Sequence, residues 1–181
     1  MTQPDARDLH RAARGGDIRA DAVVIVVSDR SAAGMRADST GPAVSAWLRE
    51  RGTGATVTVI PDEKAAIAGA VTDAVARARL VVLAGGTGLG PRDVTPQAVR
   101  PLLDYEVPGL AEAMRAEGRR STPLAALSRS LAGVVGRSLV LALPGSPRGA
   151  LESLDANFAR PAGRYEKGGC RPAAYRRVRC D

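Results

Sequence analysis

Histidine occurs once and cysteine twice in 181 residues, and these scarcities narrow the chemistry. Cys170 and Cys180 have nine residues between them near one end, a spacing that matches no zinc motif, and His10 lies near the other. A metal site built on His or Cys is excluded, and so is a Ser/His/Asp hydrolase. Aromatic residues make up 3% of the chain, too few for a platform on which single-stranded nucleic acid would stack. There is no 18-residue apolar run and no apolar core to an N-terminal leader, so the chain is expected to be cytoplasmic, without a membrane partner. Acidic residues are in deficit overall, at net charge +7, but from Arg160 to Asp181 seven basic residues face two acidic ones. The remaining 159 residues hold 19 basic and 17 acidic side chains, nearly neutral, which argues against a specific nucleic-acid partner.

What is present is aliphatic. Ala22–Val27, Leu80–Ala84 and Leu139–Leu143 are apolar without alternation, as strands buried on both faces of a parallel sheet are. Thr56–Ile60 alternates more and is expected nearer an edge. Between these runs, residues 42–51 and 63–78 repeat apolar side chains at helical spacing, with Pro42 in a first turn and Gly52 as a stop. Alternating strands and helices predict a three-layer α/β/α domain with a mostly parallel sheet. It is expected to span 21–155, between a loosely ordered arm (1–20) and a basic tail (156–181) with little apolar periodicity.

In such sheets ligands bind beyond the carboxyl ends of the strands. The segments there are Ser28-Asp29-Arg30, Pro61-Asp62-Glu63, Gly85-Gly86-Thr87-Gly88-Leu89-Gly90-Pro91-Arg92-Asp93 and Pro144-Gly145-Ser146-Pro147, all expected on one rim. The glycines allow backbone N–H groups to approach an anion, and Thr87 adds a hydroxyl. The loop is neither a Walker loop, having no Gly-Lys-Ser/Thr, nor a dinucleotide fingerprint, having Pro91 at the third glycine position. Thr95-Pro96 supplies its own helix start, which leaves Asp93 to face the rim beside Asp62. Two carboxylates near polyphosphate suit magnesium, although Asp62 serves almost as well as a cap for the next helix. Ser146 sits in a rigid turn between prolines. Ser128-Arg129 is a weaker signal, in which Arg129 could bind an acidic group or simply sit on the surface.

Taken together with Asp38-Ser39-Thr40-Gly41-Pro42, Arg92-Asp93-Val94-Thr95-Pro96, Pro108-Gly109, Leu127-Ser128-Arg129 and Ala132-Gly133, these segments resemble the MogA/MoaB family, which includes the G domains of plant Cnx and of gephyrin. The resemblance covers about residues 21–155. It implies a trimeric or hexameric homo-oligomer that binds molybdopterin and, in active members, transfers AMP from Mg-ATP to the terminal phosphate of the pterin. It further implies that Asp62 and Asp93 are the catalytic and metal-binding acids. Gly85, Gly86, Thr87 and Gly88 would hold phosphate, with Ser28 and Asp29 beside them, and Ser128 and Ser146 would touch the pterin. A module that binds molybdopterin without turnover is the alternative, and a carbinolamine dehydratase is disfavoured by the lack of histidines.

Overall fold

A computed structural model describes residues 22–158. Six strands form one sheet: β1 (Ala22–Val27), β2 (Ala55–Ile60), β3 (Leu80–Ala84), β4 (Tyr105–Glu106), β5 (Leu131–Val135) and β6 (Ser138–Leu143), in the spatial order β2-β1-β3-β6-β5-β4. The first four in that order are parallel, and β5 and β4 continue the sheet antiparallel. The helices are α1 (Asp29–Ala32), α2 (Thr40–Glu50), α3 (Lys64–Val75), α4 (Thr95–Val99), α5 (Pro108–Ser121) and α6 (Pro147–Phe158).

The unbroken apolar runs occupy the centre of the sheet because both of their faces are covered. Along β1, Val24 and Val26 join a core with Val44, Trp47 and Leu48 of α2, Met114 of α5 and Leu154 of α6. Their neighbours Val23, Ile25 and Val27 join a second core with Ile67 and Val71 of α3 and Ala98 and Val99 of α4. All six residues of β1 are buried, a placement that removes enough apolar surface to outweigh the ordering of a short strand. The alternating segment lies at the edge, as expected, with Val57 39% exposed.

Because β2, β1, β3 and β6 run parallel, their carboxyl ends open on one rim. The sheet switches direction of travel between β1 and β3, and the loops diverge there into a crevice.

Three expectations are corrected. Residues 156–158, expected to begin the tail, instead complete the last turn of α6. The reason is packing: Phe158 meets Trp47 edge-on with centroids 6.2 Å apart, and Asn157 donates to the Leu110 carbonyl at 3.4 Å. Trp47 is held in turn by Asp155, which accepts its indole N–H at 2.8 Å. Thr95 does not cap α4; it is buried, and its hydroxyl donates to the Gly85 carbonyl at 2.8 Å. Asp62 does not cap α3 either, since Glu63 occupies that position without a side-chain cap bond. The arm of residues 1–20 and the tail beyond Phe158 lie outside the described residues.

Candidate functional site

The site begins with a backbone contact. Gly85 has φ +121, and a Cβ there would stand 2.2 Å from the Val27 carbonyl oxygen; Gly145 approaches the Gly85 Cα so closely that its own Cβ would lie at 3.1 Å. Only residues without side chains let the ends of β1, β3 and β6 converge in this way. Gly86, at φ +62, turns the chain outward, and its carbonyl accepts from Thr95 N at 3.1 Å. Gly85 itself is therefore a buried hinge of the loop, whereas Gly86, Thr87 and Gly88 line a surface cleft.

Two clefts meet at this loop. The first, of about 530 Å³, is walled by the glycine loop, α5, the turn after it and α6, and includes Met114, Leu124, Ser128, Ser130 and Glu152. The second, of about 450 Å³, is lined by Ser28, Asp29, Arg30, Asp38, Thr40 and Asp62, among others. Gly86, Asp93, Gly145 and Ser146 border both. The structure thus brings Asp62, Asp93, Ser28 and Asp29 to one cleft, and Thr87, Gly88 and Ser128 to the other, with Ser146 on the boundary.

A reciprocal pair sets the acids of the second cleft. Asp29 N donates to Asp62 Oδ2 at 2.8 Å, and Asp62 N donates to Asp29 Oδ1 at 2.9 Å. Arg92 then forks onto Asp29 through Nε at 2.9 Å and Nη2 at 2.8 Å. The guanidinium hydrogen bond, followed by the Asp62 amide, holds the Asp29 carboxyl below its ordinary value. Asp62 moves the opposite way: burial raises it, and the charges of Asp29 and Asp93 add to the rise. Asp29 is therefore a neutralised strut, and Asp62 and Asp93 are the crowded negative charges.

Asp93 accepts the Gly90 amide at 2.8 Å through Oδ2, which closes the glycine loop on itself. Arg129 clamps this loop from a distant part of the chain: Nε donates to the Gly88 carbonyl at 2.7 Å and Nη2 to the Asp93 carbonyl, while its amide donates to the Thr87 carbonyl at 2.9 Å. Arg129, expected to bind an acidic group or to sit on the surface, is half-buried with its hydrogen bonds on distant backbone oxygens, a placement that no local pattern marks. Ser28 caps α1, and Ser146 accepts the Gly149 amide at the start of α6, so both hydroxyls double as structural caps. Ser128 pairs with Ser130 at 2.8 Å. Asp38 gathers the amides of Thr40 and Gly41, and the Thr40 hydroxyl donates to the Gly145 carbonyl at 2.8 Å, which ties α2 to the boundary turn. Among the described residues no group of three or more acidic, His or Cys side chains forms a ready metal cage. None of their helices is long and apolar enough to cross a membrane.

The family profile described as "Probable molybdopterin binding domain" matches residues 23–162. The chain is similar to a molybdenum cofactor biosynthesis bifunctional protein of Synechococcus elongatus, at 47% identity over 70% of this chain but only 40% of that longer protein. It is also similar to the molybdopterin adenylyltransferase of Escherichia coli K12, at 36% identity over 73% of this chain and 70% of the relative. Among solved structures, the MoaB molybdopterin biosynthesis enzyme of Thermus thermophilus superposes with a TM-score of 0.66 at 48% identity, covering 75% of this chain and 87% of that one.

Proposed function

The chain belongs to the molybdopterin-binding domain family, and from that premise we propose that it is a molybdopterin adenylyltransferase acting in molybdenum cofactor biosynthesis. The observation that carries this reading is the pair of clefts sharing Gly86, Asp93, Gly145 and Ser146: two substrates seated there would meet at the shared wall. The first cleft, with its leucines, Met114 and paired serines, suits a heterocycle with a phosphorylated side chain. The second, lined by Asp29, Asp38, Asp62 and Asp93 with Arg30 and Arg36, suits the triphosphate of ATP carried as its magnesium complex.

In the proposed reaction an oxygen of the pterin's terminal phosphate attacks the α-phosphorus of ATP. A new P–O bond forms, the bond to the bridging α,β-oxygen breaks, and pyrophosphate leaves with its electron pair. A phosphate monoester has its second pKa at about 6, so near neutrality the nucleophile is already ionised and needs no histidine base. What the chain has to supply is alignment and charge balance. Glycine-loop amides at Gly86 and Gly88 can meet the pterin phosphate, with Arg129 keeping the Gly88 carbonyl turned away. Asp62 and Asp93 provide hard oxygen donors whose mutual crowding fits a magnesium ion shared with phosphate oxygens. When bound, that ion would supply neutralisation of the triphosphate.

The test is pyrophosphate release from ATP on addition of molybdopterin. Wild-type protein should turn over, and Asp62→Asn and Asp93→Asn should each lower kcat by about a hundredfold or more while still binding molybdopterin. Binding of molybdopterin without any ATP-dependent pyrophosphate release would leave a binding module in place of the enzyme.

A further inference from the structure

Glu152 stands on the wall of the first cleft, on the second turn of α6, and the adenylyl-transfer reading gives it no task. Its side chain is 23% exposed. Oε1 accepts from the Ser121 hydroxyl at 2.6 Å and from Arg148 Nε at 2.8 Å, and Arg148 Nη2 reaches the same hydroxyl at 2.9 Å. Both bonds to the carboxylate end on one oxygen. Oε2 accepts none among the described residues. The Ser121 and Arg148 hydrogen bonds hold the carboxyl below its ordinary range, so it is a fixed, ionised acceptor at neutral pH.

Among the described residues the only other carboxylate on the first cleft, Asp93, lies at the boundary and already takes the Gly90 amide. Glu152 is six residues beyond Ser146 along the helix, about 9 Å at the rise of an α-helix. A ligand with its phosphate at the glycine loop would therefore place its far end by Glu152. The 2-amino-4-oxo ring of a pterin presents there two adjacent coplanar N–H donors, from the amino group and the ring nitrogen, a pattern that a carboxylate accepts. Adenine presents a donor beside a ring nitrogen lone pair, which a carboxylate repels.

Resting on the reading of this cleft as the pterin site, we propose that Glu152 recognises the 2-amino-4-oxo edge of the pterin and so directs pterin to the first cleft and adenine nucleotide to the second. Ser121 and Arg148 position it by occupying Oε1.

Calorimetry with a pterin carrying a phosphorylated side chain, and with its lumazine counterpart in which oxygen replaces the 2-amino group, tests this directly. Wild-type protein should favour the pterin by about tenfold or more, the effect of hydrogen bonds to a charged group. Glu152→Gln keeps an oxygen for Ser121 and Arg148, so the fold should persist, as a thermal melt will verify; the preference should fall to near unity with ATP affinity unchanged. Glu152→Asp, which retains the charge but withdraws it, should give an intermediate preference. An undiminished preference in a folded Glu152→Gln protein overturns the assignment. Wild-type binding of molybdopterin with no discrimination against lumazine overturns it alone, whereas failure of wild type to bind either probe or molybdopterin overturns the pterin site as well. Guanine carries the same edge, so GTP is measured in competition beside ATP: a pterin probe bound more tightly than GTP supports the proposal, and the reverse order replaces pterin with a guanine nucleotide.

Discussion

The two clefts share a wall but are built by different means. The second is floored by the ends of parallel strands, and its side chains are fixed by charge: Asp29 holds Asp62, and Arg92 holds Asp29. The first is walled by α5 and α6, and its polar side chains are fixed mainly through hydroxyls: Ser128 pairs with Ser130, and Ser121, together with Arg148, holds Glu152, while Phe158 on Trp47 packs the far end of α6 outside the cleft. Carboxylates fixed in a lattice of amides suit polyphosphate that arrives with a divalent cation, whereas an apolar wall carrying hydroxyls suits a flat ring. One glycine loop borders both clefts because Gly86 offers backbone and Asp93 a carboxylate to each side, while Thr87 and Leu89 face the first alone.

The most damaging test strikes the shared wall. A Cβ on Gly86 would lie 2.3 Å from the buried Thr95 hydroxyl, at a φ of +62 that β-branched residues scarcely adopt. Gly86→Val should cost roughly 3 kcal/mol or more of stability, through lost φ and the broken Thr95–Gly85 bond, and impair both substrates together. Loss of pterin affinity alone, with an unchanged chemical-denaturation midpoint, would show that the clefts are independent. Next in size, Arg129→Ala removes charged hydrogen bonds to two loop carbonyls and should lower kcat/KM by about ten- to a hundredfold, with far less effect on melting. An activity within about twofold of wild type would leave the clamp without a role. Phe158→Ala should cost about 1–2 kcal/mol from the aromatic contact at the end of α6, read as a melting point lowered by several degrees, and weaken pterin binding more than ATP binding. Equal weakening of both ligands would contradict separate construction of the two walls.

The smallest effects distinguish the two linked acids by sign. Asp29 is held below its ordinary value, so its charge adds stability above about pH 4, and that contribution fades as pH falls through the lowered value. Asp62 is raised, so its native state binds a proton more readily than the unfolded chain, and its charge subtracts stability near neutrality. Asp29→Asn should therefore melt slightly below wild type at neutral pH and converge with it in acid, while Asp62→Asn should melt at or slightly above wild type at neutral pH. Melting curves from acid to neutral pH check both; an Asp62→Asn protein clearly less stable than wild type at neutral pH would assign Asp62 a structural role instead.

Much of the fold was legible because its strongest signals are local. Val23, Ile25 and Val27 alternate with Val24 and Val26 between two cores, and an unbroken aliphatic run is the only pattern that serves both. The antiparallel end of the sheet was not legible. β4 is two residues long, and α5 buries only Ala111 and Met114 along its length, too little to imprint a period. The end of α6 was missed for a related reason, since Phe158 is a single residue whose partner, Trp47, lies far earlier in the chain, on α2.

By itself, the sequence determined the parallel sheet, the common rim and the glycine-rich close approach of backbone at the strand ends, because burial on two faces and freedom of φ are properties of a residue and its near neighbours. Only tertiary structure decided which rim residues are struts and which are available to a ligand. Asp29 and Asp62 look alike in the chain, yet Arg92, 63 positions from Asp29, neutralises one and leaves the other crowded. Nothing in the chain marks Glu152, and Arg129 leaves two readings open, until the fold sets a hydroxyl and an open cleft against the one and loop carbonyls against the other. The physical reason is range: apolar burial is written in composition, whereas a directed hydrogen bond depends on atoms that only the completed topology brings within about three ångströms of one another.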